Sequence, residues 1–331
     1  MTASETRDQH AAVVYNPVKV DLARLRASVA AAELSAGWAT TQWFETSVDD
    51  VGQAATQRAL DANASMVVSA GGDGTVRAVA EALRGSGVRM AIVPSGTGNL
   101  LARNLLLPLG GIDAATAIAF GGVDKPIDLG VASVTTDSGT VEEHVFLVMA
   151  GLGLDAQMIA NTRDDLKKHV GWLAYVDGVA RALPKARPFR IRYSVEGRTD
   201  RPAQVSAILV ANCGLLPGNL QFLPDARLDD GILDIAVLQP KGMLGWLTIW
   251  RRVTWENGVL RRSAVGRRMI AATESSNERV MTTLRGTDIR IALEHPQAFE
   301  LDGDEFGLVR TVRLDADPGA LIVRVPAEAD A

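Results

Sequence analysis

The sequence predicts two joined folds: an α/β N-terminal domain built on a parallel sheet, and a second domain of mostly antiparallel β-structure. Three observations carry that expectation. As far as about residue 127, apolar runs of strand length alternate with helix-period segments, the pattern of strands linked by crossover helices. From Asp128 onward, strand-like runs follow one another closely. Two glycine-rich segments, GGDGT (71–75) and PSGTGN (94–99), stand directly after consecutive apolar runs. The expected division is a disordered tail at 1–10, an α/β domain at 11–127 completed by 308–331, and a β-rich domain at 128–307.

Taken in order, AAVVYNP (11–17) reads as a buried strand stopped by Asn16 and Pro17. Residues 21–37 have helical periodicity and end at a glycine. TTQWFET (40–46) is a second strand, 51–62 an alanine-rich helix, and ASMVVSA (64–70) a third strand. The GGDGT turn leads into a helix reaching about Leu83, and VRMAIVPSGTGN (88–99) supplies a strand and a loop. Beyond Asp128 come the strand candidates PIDLGVASV, HVFLVMAGL, FRIRYSVEG, VSAILVANC and ILDIAVLQP, then TDIRIAL, AFELDGD and a last strand, ALIVRVP. One helical stretch, 164–183, interrupts them. There is no internal repeat and no low-complexity tract.

Composition narrows the function. A chain of 331 residues with 47% hydrophobic residues can bury sizeable cores. A net charge of -5 is not the footprint of a nucleic-acid binder. The single cysteine, Cys213, leaves no internal disulfide, and no Cys/His cluster has zinc spacing, which fits a reducing cytoplasm. The N-terminus carries charges where a signal peptide would have its apolar core. No segment has the length of uninterrupted apolar residues that a membrane span requires. A soluble protein is expected, held to a membrane at most by its surface.

The two glycine segments read as a phosphate site. Gly71, Gly72 and Gly74 let the backbone approach a ligand closely, and Thr75 stands where a helix would begin and offer its amides. Glycines do not account for Asp73, because a bare carboxylate repels phosphate. An acid there suits a divalent metal on a nucleotide, or a proton taken from a hydroxyl nucleophile. Neither the Walker A lysine nor GxGxxG spacing is present. GGDGT alone would also suit an ordinary strand–helix turn. A second loop holding Gly96, Thr97 and Asn99 after the next strand puts two glycine turns side by side on one rim of the sheet.

Together with NP (16–17), Thr46, GLGLDAQM (151–158), LKKHVGWLAY (166–175), LPDARLDDGILDIAVL (223–238) and ELDGDEFG (300–307), these loops resemble the soluble bacterial diacylglycerol kinases and their sphingosine and ceramide kinase relatives, an NAD kinase/diacylglycerol kinase-like fold. The resemblance covers nearly the whole chain in order. It implies an ATP-dependent lipid kinase acting on diacylglycerol or a related lipid alcohol. ATP would meet Asn16, Thr46, the 71–75 loop and Thr97, with Asp73 essential to phosphoryl transfer. The alternatives are a kinase of a sphingoid base, ceramide or soluble hydroxyl, or a regulator without catalysis.

The same resemblance implies a structural Mg2+ held by the Asp230 carboxylate and the backbone carbonyls of Arg227 and Ile232. Carboxylates at 229, 230 and 234 around one glycine suit a hard cation, and equally a solvated Asp-Gly turn. The family usually carries a glutamate after Asp-Gly as base for the lipid hydroxyl; here that position is Asp304, with Glu305 next. Leu100 stands where an acid is frequent, and VKVD replaces the usual small residues after the first Asn-Pro, with Lys19 able to reach a phosphate or simply be solvated.

A lipid kinase must touch a bilayer. Residues 243–268 hold Trp246 and Trp250 at helical spacing with six arginines, a mixture that interfacial helices use, or else a crossover helix buried against the β-domain. Lys167, Lys168 and His169 form a second basic cluster. Peripheral membrane association of a cytoplasmic protein is expected, with a homodimer possible because relatives often form one.

Overall fold

A computed structural model describes residues 9–153, 188–216, 220–240, 245 and 280–327. The helix expected at 164–183, the basic cluster at 167–169, and the Trp/Arg segment 243–268 apart from Gly245 lie outside the described residues. So does most of the tail expected at 1–10.

The chain forms two compact units, 1–129 with 317–331 and 130–316. Unit 1 begins with β1 (His10–Tyr15), α1 (Leu22–Ala36), β2 (Ala39–Glu45), α2 (Gln53–Asp61), β3 (Met66–Gly71), α3 (Asp73–Leu83), β4 (Arg89–Pro94), α4 (Leu100–Asn104) and α5 (Ile112–Gly121). The chain enters unit 2 along β5 (Val123–Thr136) and continues through β6 (Val141–Phe146), β7 (Met149–Leu152), β8 (Phe189–Val195), β9 (Arg201–Val205), β10 (Ala207–Ala211), β11 (Leu215–Leu216), β12 (Leu220–Gln221), β13 (Leu233–Leu238), β14 (Met281–Gly286) and β15 (Asp288–Leu301). It returns to unit 1 along β16 (Asp304–Val325).

In unit 1 the strands lie parallel in the order β16, β4, β3, β1, β2, with Ile322 and Val323 of β16 beside Arg89 and Met90. Every residue of β3 is buried, as expected of a strand covered on both faces. One face packs on α1 and α5 through Leu25, Val29, Ala115, Ala119 and Phe120. Each buried leucine or phenylalanine contributes roughly 1.5–3 kcal/mol. The other face carries α2 and α3.

The helix ends follow capping chemistry. Asp21 accepts the Arg24 N–H at 3.1 Å to start α1, and Gly37 at φ 72° stops it. The Asp50 carboxylate accepts the N–H groups of Gly52, Ala54 and Ala55, so α2 starts at Gln53, two residues later than its periodicity suggests. Helices α4 and α5 lie outside the elements expected from the sequence.

Unit 2 is antiparallel. The order β14, β13, β10, β7, β15, β16 is extended by β8 and β9 on β15 and by β5 and β6 on β16. Its core gathers Phe146, Leu152, Val205, Leu233, Phe299, Leu301 and Val312. Two sequence expectations change here. HVFLVMAGL is two strands, β6 and β7, with Leu147 and Val148 between them. Most of TDIRIAL and the AFEL of AFELDGD belong to one strand, β15, whose register shifts between Ala292 and Gln297.

Candidate active site

The order of the parallel sheet locates the site in unit 1. The chain runs from β1 outward to β2, then crosses back to place β3 on the other side of β1, so the connections leave in opposite directions between β1 and β3. Ligands of open α/β sheets bind outside the strand carboxyl ends at such a switch point. Asn16 follows β1 here, its N–H donating to the Ala70 carbonyl at 2.9 Å. Its side-chain oxygen accepts the Val18 N–H at 3.0 Å, fixing the turn that carries Lys19. A β-carbon built on Gly72 falls 2.8 Å from Lys19 Nζ, so the ammonium lies against the glycine turn. Thr46 directly follows β2 as a buried residue, its N–H on the Tyr15 carbonyl at 2.9 Å.

Helix α3 starts at Asp73, two residues before the expected Thr75, with Gly72 as its N-cap. Asp73 therefore sits in the first helical turn, where the helix dipole favours an acid. Gly74 and Thr75 lie in the same turn, where backbone N–H groups have no acceptor inside the helix. Thr75 packs over Gly71: a β-carbon there would lie 2.7 Å from Thr75 Cβ.

The two glycine loops touch. A β-carbon on Gly96 would lie 2.7 Å from the Gly72 Cα, and the Ser95 N–H donates to the Gly71 carbonyl at 2.9 Å. Asp73 clasps them. Its Oδ2 accepts the Asn99 N–H at 2.9 Å and its Oδ1 accepts the Leu100 N–H at 2.6 Å, at the start of α4. Asn99, at φ 49°, closes its own loop: Oδ1 takes the Gly96 N–H at 2.9 Å and Nδ2 donates to the Gly96 carbonyl at 2.8 Å. Arg103 Nε holds the Gly98 carbonyl at 2.7 Å. Thr97 is exposed between these anchors. The turn thus has a structural use for its acid that the sequence reading missed: Asp73 fixes the second loop against the first.

In unit 2, Asp302 and Gly303 are the two-residue turn between β15 and β16, at φ 51° and 89°. Positive φ at both positions belongs to the hairpin turn that Asp-Gly favours. The Asp302 carboxylate is buried and accepts the N–H groups of Leu147, Val148 and Met149 at 2.8–2.9 Å. Asp304 and Glu305 follow on β16, both exposed. Successive strand residues point to opposite faces, so these two carboxylates serve different faces. Behind the turn, burial first and the Asp302 charge second push the Cys213 thiol well above its ordinary pKa.

In the Asp230 loop the carboxylate expected to meet magnesium is engaged within the protein. Asp230 Oδ2 is 2.6 Å from Arg285 Nη2, and its Oδ1 accepts the Ile232 N–H at 3.1 Å. Arg285 Nε is 3.1 Å from Asp234 Oδ1, while Arg227 Nε pairs with Asp229 at 3.3 Å. Burial, outweighing Arg285 and aided by the charges of Asp230 and Asp225, raises the Asp234 pKa. No group of three or more His, Cys, Asp or Glu among the described residues could hold a metal ion. Magnesium wants near-octahedral oxygen; here a guanidinium takes the carboxylates.

Residues 10–132 match the diacylglycerol kinase catalytic domain, and residues 148–325 match the YegS C-terminal NAD kinase beta sandwich-like domain. A parallel sheet with paired glycine turns, followed by such a β-domain, defines an NAD kinase-like class of kinase. Within that class, the chain belongs to the family of YegS-like lipid kinases and diacylglycerol kinases. It is 33% identical over 280 residues to a Pseudomonas aeruginosa protein named "Probable lipid kinase YegS-like", covering 82% of this chain and 80% of that one. It is 27% identical over 245 residues to the Bacillus subtilis "Diacylglycerol kinase", covering 73% and 77%. Two solved structures from Bacillus anthracis share the fold. One has a TM-score of 0.75 at 21% identity, covering 97% of this chain and 98% of its own. The other, described as a diacylglycerol kinase, has a TM-score of 0.66 at 19% identity, covering 96% and 97%. Membership in a kinase family implies ATP as the phosphoryl donor. No helix of the described residues is long and apolar enough to cross a membrane.

Proposed function

We propose that this protein transfers the γ-phosphoryl group of ATP to the hydroxyl of diacylglycerol, giving phosphatidic acid, or of a closely related lipid alcohol. The observation that carries the proposal is the clasp of two glycine loops by Asp73 at the switch point of a parallel sheet. Phosphoryl transfer is catalysed mainly by positioning and by stabilising charge on the phosphates, and both demand a rigid phosphate cradle. The first-turn amides of α3 supply donors, with Lys19 beside them. Asn16, Thr46, Gly71, Gly72, Asp73, Gly74, Thr75, Gly96, Thr97 and Asn99 form the nucleotide-facing set in this reading, Asp73 is essential to the transfer, and magnesium accompanies the phosphates as counter-ion.

Asp304 takes the lipid hydroxyl proton in this reading, with Glu305 on the opposite face as the competing base. A general base must reach its proton directly or through one water. The lipid is reached by peripheral contact of a cytoplasmic protein with the membrane surface. Homodimers are proposed, and nucleic acid is not a partner.

The test is transfer of labelled phosphate from ATP, with magnesium, into a panel of lipids in mixed micelles. The panel spans diacylglycerol, monoacylglycerol, ceramide and a sphingoid base, with Asp73→Ala as control. Label in diacylglycerol alone, abolished in the control, is the expected result. Label in another lipid moves the substrate assignment and keeps the kinase. No label anywhere with ATP binding retained favours a regulator, a reading motivated by aspartate at position 304. Asp304→Asn and Glu305→Gln then separate the two candidate bases, since only the true base abolishes turnover without loss of ATP binding.

A further inference from the structure

We infer that Arg285 is the resident cation of the Asp230 loop, doing in this chain what a divalent ion would otherwise do. The inference holds whichever hydroxyl is phosphorylated.

The placement begins with strand register. Asp234 of β13 and Arg285 of β14 are directly opposite each other in an antiparallel pair, in the run that sets Leu233 beside Gly286 and Ile235 beside Leu284. Cross-strand partners in such a pair have side chains within reach on one face. The guanidinium therefore comes to the loop from a rigid ladder and not from a free surface segment. Its Nε meets Asp234 at 3.1 Å and its Nη2 meets Asp230 at 2.6 Å, so one planar fork bridges two carboxylates four positions apart. The remaining oxygen of Asp230 is used inward, accepting the Ile232 N–H at 3.1 Å to shape the turn around Gly231. Gly231 itself has φ 69°, a left-handed position that suits glycine.

The chemistry favours a guanidinium once it is there. Arginine stays protonated at any pH at which proteins fold. Asp234 is nearly buried, with a side chain 7% exposed, while that of Arg285 is 44% exposed. The arginine thus covers a carboxylate that would otherwise lie uncompensated in a poorly hydrated place. Magnesium would need several oxygens in octahedral array and would keep some of its water. Beside Asp230 it would meet the like charge of Arg285, and displacing that guanidinium would strip Asp234 of its counter-charge. Among the described residues, the same loop pairs its third acid, Asp229, with Arg227. Every carboxylate of DDGILD is matched to an arginine.

The experiment is thermal unfolding of the full chain without nucleotide, so that no metal enters on phosphate. Wild-type protein is melted in chelator and in millimolar magnesium or calcium, beside Arg285→Met, Arg285→Lys and Asp230→Asn. The expected result is a wild-type Tm indifferent to chelation. Arg285→Met should lose roughly 2–5 °C in chelator and recover part of it when magnesium is added, because its emptied carboxylates then accept a cation. Arg285→Lys should lose less. Asp230→Asn should be destabilised equally with and without metal.

A wild-type Tm that rises saturably with magnesium would overturn the inference, as would an Asp230→Asn deficit present only in magnesium. An Arg285→Met protein as stable as wild type in chelator would overturn it too. If Arg285→Met does not accumulate as folded protein, the wild-type and Asp230→Asn melts decide between the same outcomes.

Discussion

Asp73 shows how one side chain can answer two demands. A carboxylate between glycines looks costly beside phosphate, yet its two oxygens receive the N–H groups of Asn99 and Leu100. Part of its negative charge is thereby directed into the backbone of the second loop. Asp124 makes a comparable case away from the site. It lies between Arg89 of β4 and Arg324 of β16, at 2.8 and 2.7 Å. Burial alone would raise its pKa, but hydrogen bonds and charge from the two guanidiniums outweigh this and hold it below the ordinary 3.8. A depressed carboxylate pKa stabilises the fold above the unfolded value and stops doing so as pH falls through the folded one. Asp124→Asn should therefore lower stability by about 0.5–1 kcal/mol at neutral pH, after allowing for solvent screening. The gap from wild type should close as pH falls below about 4, as read from denaturant melts across pH. A gap unchanged at low pH would sink this account.

Among the elements, the contact between the two glycine turns leaves no room for a side chain on Gly96. Gly96→Ala would bring a methyl group to 2.7 Å from the Gly72 Cα, a backbone atom that cannot swing aside. Overpacking of this kind costs typically about 1–3 kcal/mol. The expected outcome is a folded protein of lower Tm whose KM for ATP rises well before its KM for lipid; equal changes in both would contradict it. Much of this was legible in the sequence. The glycines, the apolar runs before them and the Asp21 and Gly37 ends of α1 are all local signals, and local signals survive without a structure. Hydrogen-bond partners far apart in sequence do not. Nothing near Asp73 announces that its acceptors meet residues 99 and 100, and nothing near Asp230 announces Arg285, because only the β13–β14 register brings that arginine opposite. The division of HVFLVMAGL into β6 and β7 was equally hidden, since it follows from Asp302 claiming the N–H groups of residues 147–149. The Asp-Gly turn at 302–303, by contrast, could be read directly from its dipeptide. The role of Asp304 after that turn is a chemical question that spacing does not answer.

At the scale of the whole molecule, the chain is not two beads in series. Unit 1 ends with residues 317–331, which return after unit 2 is complete. Leu321 and Val323 are buried there, Asp317 pairs with Arg84 at 2.6 Å, and the Gly319 N–H meets Asp128 at 2.8 Å. Removing residues 317–331 should strip the parallel sheet of the strand beside β4 and leave a protein that aggregates or unfolds without cooperativity. Soluble yield and a circular-dichroism melt would show it. A truncated chain melting like wild type would refute the need for that return.

The return of β16 also sets a clock on biosynthesis. Residues 10–121 leave the ribosome with four strands of the parallel sheet, and the edge of β4 must wait for a partner encoded only after unit 2. At about 5–20 residues per second, that wait lasts roughly ten to fifty seconds. Throughout it, a row of backbone donors and acceptors stands open to pairing with another nascent chain. Slowed translation of the second half should therefore lower the yield of soluble protein more than the same slowing of the first half, even though the amino-acid sequence is unchanged.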